Sequence, residues 1–205
     1  MRNTSPTSSH DCIVAWSGGV ESTCLVYQLL LEKRNPLIIH LQIHSHDIAV
    51  NMFETYAVER MADVLNVDVE YIDVRSPIPD RDRTAEFWKP RAYGGGYPVL
   101  PMWTSMAFLT QITNPWCTDI YIGKNRSDGN ADTWEVAQKY CAEQGKLFGF
   151  ESRMSAPLEN LSKREQWAMI PKDLQKLVRW CTSSKSLPCG TCSKCKEKER
   201  FIDQS

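Results

Sequence analysis

This sequence lacks long hydrophobic runs and a large net charge. Its apolar runs are only as long as a strand, such as Leu37-Ile38-Ile39, so none could span a bilayer. The 24 Lys and Arg residues nearly cancel the 25 Asp and Glu residues, and a net charge of −1 attracts neither nucleic acid nor anionic membranes. Residues 1–11 have no apolar signal-peptide core. We therefore expect a cytoplasmic protein with no membrane or nucleic-acid partner.

The composition is that of an ordinary globular protein. Of the 205 residues, 42% are hydrophobic and 24% charged, which suits one domain with a small appendage. Eight cysteines are present, and four of them fall within the last 25 residues. Close Cys-x2-Cys pairs in a cytosolic chain are typical of a tetrahedral metal site rather than of disulfides.

Short apolar runs alternate with helical patterns along the first 75 residues. The predicted strands cover residues 12–16, 37–43, 67–74 and 119–123. The predicted helices cover residues 22–34, 52–66, 103–113, 131–144 and, in two pieces broken at Pro171, 161–179. The initial β-α-β-α-β order indicates a parallel α/β sheet. Residues 75–101 are rich in proline and glycine and are expected to form a functional loop.

A glycine turn directly follows the first predicted strand and opens the first helix. It reads Ser17-Gly18-Gly19-Val20-Glu21-Ser22-Thr23. Such a turn points its N–H groups inward, and the helix N-terminus adds partial positive charge, so the turn can hold a phosphate or pyrophosphate. It matches neither the Walker nor the dinucleotide-binding pattern. A plain turn capped by serine is the alternative, but the flanking hydroxyls favour the phosphate site.

Cys181, Cys189, Cys192 and Cys195 form a C-x7-C-x2-C-x2-C run near the end of the chain. Four thiolates match a closed structural zinc site, because they fill the tetrahedron and leave no position for a catalytic water. An iron–sulfur cluster is the rival interpretation, since it also takes four thiolates. Neighbouring lysines, Lys194 among them, would offset the negative charge of the site. The remaining cysteines are expected to be buried as small hydrophobic residues.

The glycine turn resembles the Ser-Gly-Gly-x-Asp-Ser pyrophosphate loop of the PP-loop ATPases, which cleave ATP between the α- and β-phosphates and adenylate a substrate oxygen. Glu21 stands where that superfamily usually has aspartate, which moves the carboxylate outward by about one methylene, ~1.5 Å. Combined with the cysteine run, the chain resembles the 7-cyano-7-deazaguanine synthase family over residues 12–201. The segments Ile122-Gly123-Lys124-Asn125 with Asp128, and 156–163, agree with that family in order along the chain.

The resemblance implies a parallel-sheet, adenine-nucleotide α-hydrolase-like (PP-loop) domain over residues 12–160. A helical region with a four-cysteine zinc site would follow over 161–205, and a disordered tail would precede over 1–11. The implied activity is an ATP-dependent ligase that converts 7-carboxy-7-deazaguanine and ammonia to the nitrile, through an adenylated carboxylate and an activated amide. Its cofactors would be ATP with Mg²⁺ and one structural Zn²⁺ per chain. A homodimer is common in the family.

Site residues follow from the matching positions. The residues assigned to ATP binding are Ser17, Gly18, Gly19, Val20, Ser22 and Thr23. The catalytic candidates are Glu21, near Mg²⁺, and Lys163, as a charge near the phosphates or the acceptor carboxylate; a solvated helix lysine is the alternative for the latter. Asn125 and Asp128 are the substrate-binding candidates, because they follow a strand at the carboxyl edge of the sheet. The aromatic side chains offered for stacking on a purine-like base are Trp88, Tyr93 and Trp103.

Departures from the synthase family gather around the substrate. They lie at His44-Ser45-His46-Asp47, at Pro101-Met102-Trp103-Thr104 and at 129–134, and they favour a divergent, phage-type member acting in a host cytoplasm. Two other interpretations stay open. One is a PP-loop adenylating enzyme with another acceptor, as in tRNA thiolation or amidation. The other is a degenerate relative that binds a nucleotide or deazapurine without catalysis.

Overall fold

A five-stranded parallel sheet organises the chain. The computed structural model describes residues 10–44, 48–75, 99–128, 131–181 and 189–202. The strands are β1 Cys12–Ala15, β2 Pro36–His44, β3 Val69–Arg75, β4 Asp119–Ile122 and β5 Arg153–Ser155. Their order across the sheet is β3-β2-β1-β4-β5, and each neighbouring pair runs parallel. Parallel neighbours cannot be joined by a hairpin, so helices connect them.

Helices cover both faces of this sheet. They are α1 Val20–Leu31, α2 Ile48–Leu65, α3 Val99–Thr113, α4 Ala131–Phe148, α5 Lys163–Met169, α6 Lys172–Gln175 and α7 Ser193–Ile202. The central strand β1 is therefore buried on both sides, with Cys12 and Val14 in one core cluster and Ile13 and Ala15 in the other. None of the described helices is long and apolar enough to cross a membrane.

The strand order changes direction at β1, and this change locates the site. From β1 the chain crosses over to β2 on one side, whereas β4 pairs with β1 on the other side. The crossover loops therefore diverge at the carboxyl ends of β1 and β4 and leave a crevice between them. Ligands of open α/β sheets bind in such a crevice. The turn at 16–19 follows β1 and the loop at 123–128 follows β4, so both lie at this edge of the sheet.

The parallel α/β fold class predicted from the sequence is confirmed. The break of the last predicted helices at Pro171 is also present, since α5 ends at Met169 and α6 begins at Lys172. The sequence misses β5, because three residues are too few to show an alternating pattern. Outside the described residues lie residues 1–9 of the expected tail and most of the loop at 75–101. Asp11, which belongs to the expected tail, donates its N–H to the carbonyl oxygen of Asn35 at 3.1 Å.

Candidate phosphate site and metal centre

The turn after β1 is fixed by close packing around one glycine. Gly18 has φ +80, and a Cβ there would lie 3.2 Å from Val58 Cγ2 and 3.3 Å from the Glu54 carbonyl oxygen. Any other residue would be strained in this conformation and would also press on α2. The carbonyl of Gly18 accepts a hydrogen bond from the Arg179 N–H at 3.0 Å. The turn is thus held between α2 and the segment that follows α6.

Two serine hydroxyls lie together at the N-terminus of α1. The Oγ atoms of Ser17 and Ser22 are 3.0 Å apart, and the Ser17 N–H donates to Ser22 Oγ at 3.2 Å. Gly19 occupies the N-cap position, and no side chain caps the helix there. The first turn of α1 therefore lies at the turn without a side-chain cap, at the positive end of the helix, which suits an anion.

Thr23 is placed differently from the other residues assigned to ATP. It is fully buried, and its hydroxyl accepts a hydrogen bond from Trp16 Nε1 at 3.0 Å. Its Oγ1 also lies 3.8 Å from the sulfur of Met61. Thr23 thus supports the turn from the core side and does not face the crevice.

Glu21 and Lys163, the two catalytic candidates, are in direct contact. Lys163 Nζ lies 2.9 Å from Glu21 Oε1 and 3.1 Å from Glu197 Oε2, and the ammonium is 5.3 Å from the centre of the Trp180 ring. The lysine side chain is only 7% exposed. The solvated-lysine interpretation is therefore wrong: Lys163 is a buried cation between two carboxylates.

The charges of this cluster shift the pKa values of its members. Burial alone would raise the pKa of Glu21, but the charge and hydrogen bond of Lys163 outweigh it, and the net pKa is lowered. For Lys163, burial would lower the pKa, but the carboxylates of Glu21 and Glu197 outweigh it, and the net pKa is raised. Both groups therefore stay ionised at neutral pH, as an ion pair stabilised by mutual attraction.

The loop after β4 approaches α1 through a glycine. A Cβ on Gly123 would lie 2.5 Å from the Ser22 nitrogen, a distance that real Cβ atoms essentially never show. This close approach lets Asn125 Nδ2 donate to Glu21 Oε1 at 2.9 Å. Asp128 folds the loop by accepting from the Asn125 N–H at 2.9 Å. Asn125 thus holds Glu21 in place. Neither Asn125 nor Asp128, the two substrate-binding candidates, lines the cavity at the turn.

A cavity of about 140 Å³ opens at the turn. Ser17, Gly19, Val20 and Glu21 form one wall of it. Other elements contribute Glu54, Lys163, Arg179, Trp180 and Lys194. It is smaller than the pockets that enclose whole drug-sized ligands, so it suits the phosphate part of a nucleotide. Three cationic side chains lie there at a helix N-terminus beside the carboxyl groups of Glu21 and Glu54, so the cavity could hold a phosphate together with a cation.

Sequence reasoning misses Glu54 and Arg179, because no motif marks them and only the fold brings them to the turn. Burial raises the pKa of Glu54 to about 7, although the Arg179 charge opposes this shift. The Arg179 guanidinium lies 5.1 Å from the centre of the Phe53 ring on α2. The start of α5 does carry a signal in the sequence. Ser162 and Glu165 form a capping box, and this S-x-x-E pattern places Lys163 in the first turn of the helix.

The four C-terminal cysteines converge into a site that can bind a metal ion. The Sγ atoms of Cys181, Cys189, Cys192 and Cys195 all lie within 4.8 Å of one another. Main-chain N–H groups of Cys192 and Cys195 donate to the preceding cysteine sulfurs at 3.4 Å. Hydrogen bonds from Thr191 and Cys192 lower the pKa of the Cys189 thiol to about 5, whereas burial and Cys192 raise the pKa of the Cys195 thiol to about 12. A bound metal ion would require both as thiolates.

The remaining cysteines behave as the sequence predicts. The fully buried set is Cys12, Cys24, Cys117 and Cys141. Burial raises the pKa of Cys24 to about 12 and those of Cys117 and Cys141 to about 11, so these thiols stay protonated. Trp88 and Tyr93 lie outside the described residues, as does the side chain of Trp103.

Comparison with known proteins yields structural neighbours. No family model matches the chain, and no curated protein is similar to it in sequence. The structure of the U34-tRNA thiolase NcsA from Methanococcus maripaludis with its [4Fe-4S] cluster matches with TM-score 0.50 and 17% identity, over 97% of this chain and 67% of that chain. NMN synthetase from Francisella tularensis matches with TM-score 0.45 and 14% identity, over 96% and 78%. At 17% identity, the likeness to the NcsA structure shows the parallel α/β fold alone, and it does not support the narrower resemblance to the synthase family.

Proposed function

We propose that this protein is an ATP-dependent enzyme of the PP-loop type, which adenylates an oxygen of its acceptor and releases pyrophosphate. The observation that carries this proposal is the cavity at the N-terminus of α1, where Ser17 of the serine pair meets three cations next to the carboxyl end of β1. A phosphate group placed there would receive N–H groups, hydroxyls and positive charge at once.

The acceptor that we propose is 7-carboxy-7-deazaguanine, with ammonia as the nucleophile. A carboxylate oxygen attacks the α-phosphorus of ATP, the bond to the β-phosphate breaks, and pyrophosphate leaves with the electron pair. Ammonia then attacks the carbonyl carbon, AMP leaves and a proton is lost, which gives the amide. A second ATP activates the amide oxygen in the same way, and loss of AMP and of the remaining N–H protons gives the nitrile.

The residues of this chain divide the work of the first step. The turn and the Arg179 guanidinium would bind the departing pyrophosphate, whose charge increases as the bond breaks. Asn125 and Lys163 both contact Oε1 of Glu21, so Glu21 would hold Mg²⁺ through its other carboxylate oxygen, Oε2. Bound Mg²⁺ would supply neutralisation of the phosphate oxygens. Glu21, which is one methylene longer than the aspartate usual in the superfamily, is thus held by Asn125 and Lys163.

For the cysteine site we propose one structural Zn²⁺ per chain. In a tetrahedral site with zinc–sulfur bonds of about 2.3 Å, the sulfurs lie roughly 3.8 Å apart. The observed limit of 4.8 Å fits this arrangement. A [4Fe-4S] cluster binds each thiolate to a different iron, which would hold the sulfurs farther apart. Metal analysis of the purified protein should give one zinc and no iron per chain.

The test of the proposed function is pyrophosphate release with and without 7-carboxy-7-deazaguanine and ammonia. We expect release to depend on both compounds, with the nitrile identified by mass spectrometry. The Glu21→Gln variant should lose at least about 100-fold in rate, as expected for a group that acts at developing charge. An exposed-site control, Lys172→Met, should retain the rate. Release that ignores the acceptor would exclude this substrate, and absence of ATP binding would exclude the enzyme.

A tRNA acceptor is the second candidate, and the likeness to the thiolase NcsA is what favours it. The activated oxygen would then belong to a uridine base, and a sulfur donor would replace ammonia. A gel shift with tRNA at physiological salt separates the two candidates, because binding to phosphates is strongly salt-dependent. The Glu21→Asp variant separates these two candidate enzymes from a non-catalytic binding protein. If neither the wild type nor Glu21→Asp is active with any acceptor, only the binding function remains.

A further inference from the structure

The cysteine site and the phosphate cavity are joined by helix α7. This helix begins at Ser193, between the ligands Cys192 and Cys195, and Lys194 directly precedes the second of them. An ion held by both cysteines would therefore fix the first turn of α7 and the direction in which Lys194 leaves it. That direction leads into the cavity, where Lys194 lies with Ser17 and Gly19.

Of the two lysines in the cavity, Lys194 is less committed to carboxylates. Lys163 already contacts two of them, at 2.9 and 3.1 Å. Lys194 Nζ lies 3.9 Å from Glu197, and its side chain is 47% exposed. A bound diphosphate would attract this ammonium more readily than one buried between two carboxylates, because less existing attraction has to be given up.

Glu197 strengthens the connection from the same helix. It lies one turn after Lys194 and contacts Lys163, which in turn contacts Glu21 on α1. These two ion pairs, which share Lys163, connect α7 to the first turn of α1. A shift of α7 would therefore move a cation in the cavity and also disturb the partner of the candidate Mg²⁺ ligand.

We propose that Lys194 binds the phosphates of the nucleotide and that the four-cysteine site holds this lysine in the cavity, so that metal binding and ATP binding strengthen each other. The inference rests on the proposed ATP-binding function. By linkage, the factor by which metal tightens ATP binding equals the factor by which ATP tightens metal binding. The expected factor is about tenfold, within the ordinary range of coupling between sites.

The chain offers a matched control for this test. Lys194 and Lys196 flank the same ligand, Cys195, and both side chains are exposed, but only Lys194 lines the cavity. In zinc-loaded protein, Lys194→Ala should weaken the binding of Mg·ATP about tenfold, as for the loss of a charge-assisted hydrogen bond. Lys196→Ala should stay within about twofold of wild type. Equal zinc content and circular dichroism would show that both variants are folded.

The second measurement is zinc transfer to a chromophoric chelator, with and without Mg·ATP. Nucleotide should reduce transfer from the wild type and from Lys196→Ala, and should leave transfer from Lys194→Ala unchanged. The Lys194→Ala protein also reports any direct chelation of zinc by ATP. Wild-type ATP affinity in Lys194→Ala, or zinc transfer indifferent to ATP, would overturn the inference and leave the proposed function standing. Absence of ATP binding in every form would overturn both.

Discussion

Helices α1 and α7 both border the phosphate cavity, but different forces hold them in place. Seven of the twelve residues of α1 are buried, and Trp16 and Thr23 anchor its N-terminus in the core. Among the α7 side chains that the structure describes, only Cys195 is buried. Burial of apolar surface thus fixes the turn, whereas α7 has little such burial and depends on its cysteines. One half of the cavity, at the turn, is therefore fixed by the core, and the other half, at α7, adjoins four cysteines that could hold a metal ion.

The largest expected effect comes from removing a metal ligand. Cys192→Ser should abolish stoichiometric zinc binding, because it removes one of the four thiolates. The effect is expected to be large, since structural zinc contributes about 10–16 kcal/mol in isolated zinc modules. We expect α7 to lose its position while the sheet and α1 remain folded. Metal analysis together with hydrogen exchange measures this. Cys141→Ser, a buried cysteine outside the cluster, is the control and should keep its zinc. Uniform loss of protection across the sheet would contradict the separation of the two halves.

The ion pairs that join the two halves give the next effect. Lys163→Met leaves Glu21 and Glu197 without their shared cation, and breaking a buried ion pair costs about 3–5 kcal/mol. Because Glu197 is partly exposed, we expect the lower end of that range. Urea unfolding measures the loss. Lys172→Met, at an exposed position, should change stability by less than about 0.5 kcal/mol. Equal stability of the two variants would mean that the halves are not coupled through Lys163.

Two glycines of similar conformation, one in the turn and one in the cysteine segment, allow the packing of the two halves to be compared. Gly18, with φ +80, has α2 atoms at 3.2 and 3.3 Å from the position of a Cβ. Gly190, with φ +70, has no atom of the described residues within 4 Å of that position. Gly190→Ala should therefore cost only backbone strain, about 1 kcal/mol, and Gly18→Ala about 2–4 kcal/mol. Unfolding midpoints in urea decide the order. The reverse order would show that the cysteine segment is packed more tightly than the turn.

The last effect appears only as the pH rises, and it concerns Glu54, the carboxyl at the turn with a raised pKa. Native Glu54 keeps its proton up to a pKa of about 7, but the unfolded chain releases it near 4.5. Unfolding therefore releases a proton between these values, and the free energy of unfolding falls as pH rises through 4.5–7. Glu54→Gln removes this loss. The variant should match the wild type near pH 4.5 and exceed it by up to about 3 kcal/mol at pH 8, since each pKa unit corresponds to about 1.4 kcal/mol. A constant difference across this pH range would contradict the raised pKa.

Local signals allow much of the site to be predicted. The glycine turn sits between a buried strand and an amphipathic helix, and the structure places it at the crevice. The cysteine spacing predicts a metal site, and the four sulfurs converge. Thr23 shows the limit of such reasoning, because a hydroxyl next to the turn faces the core. Lys194 shows it again: its position beside the ligands indicates charge balance for the metal, but the fold points it into the cavity.

The sequence by itself determined the parallel sheet, the glycine turn after its first strand and the four-cysteine set, since hydrophobic period, backbone freedom and ligand spacing are properties of neighbouring residues. Only the tertiary structure decided that Glu21 and Asn125 meet across the close approach at Gly123, and that α5 and α7 bring Lys163 and Glu197 to them. These partners lie far apart along the chain. Their contact depends on strand order and helix packing, which no local pattern encodes.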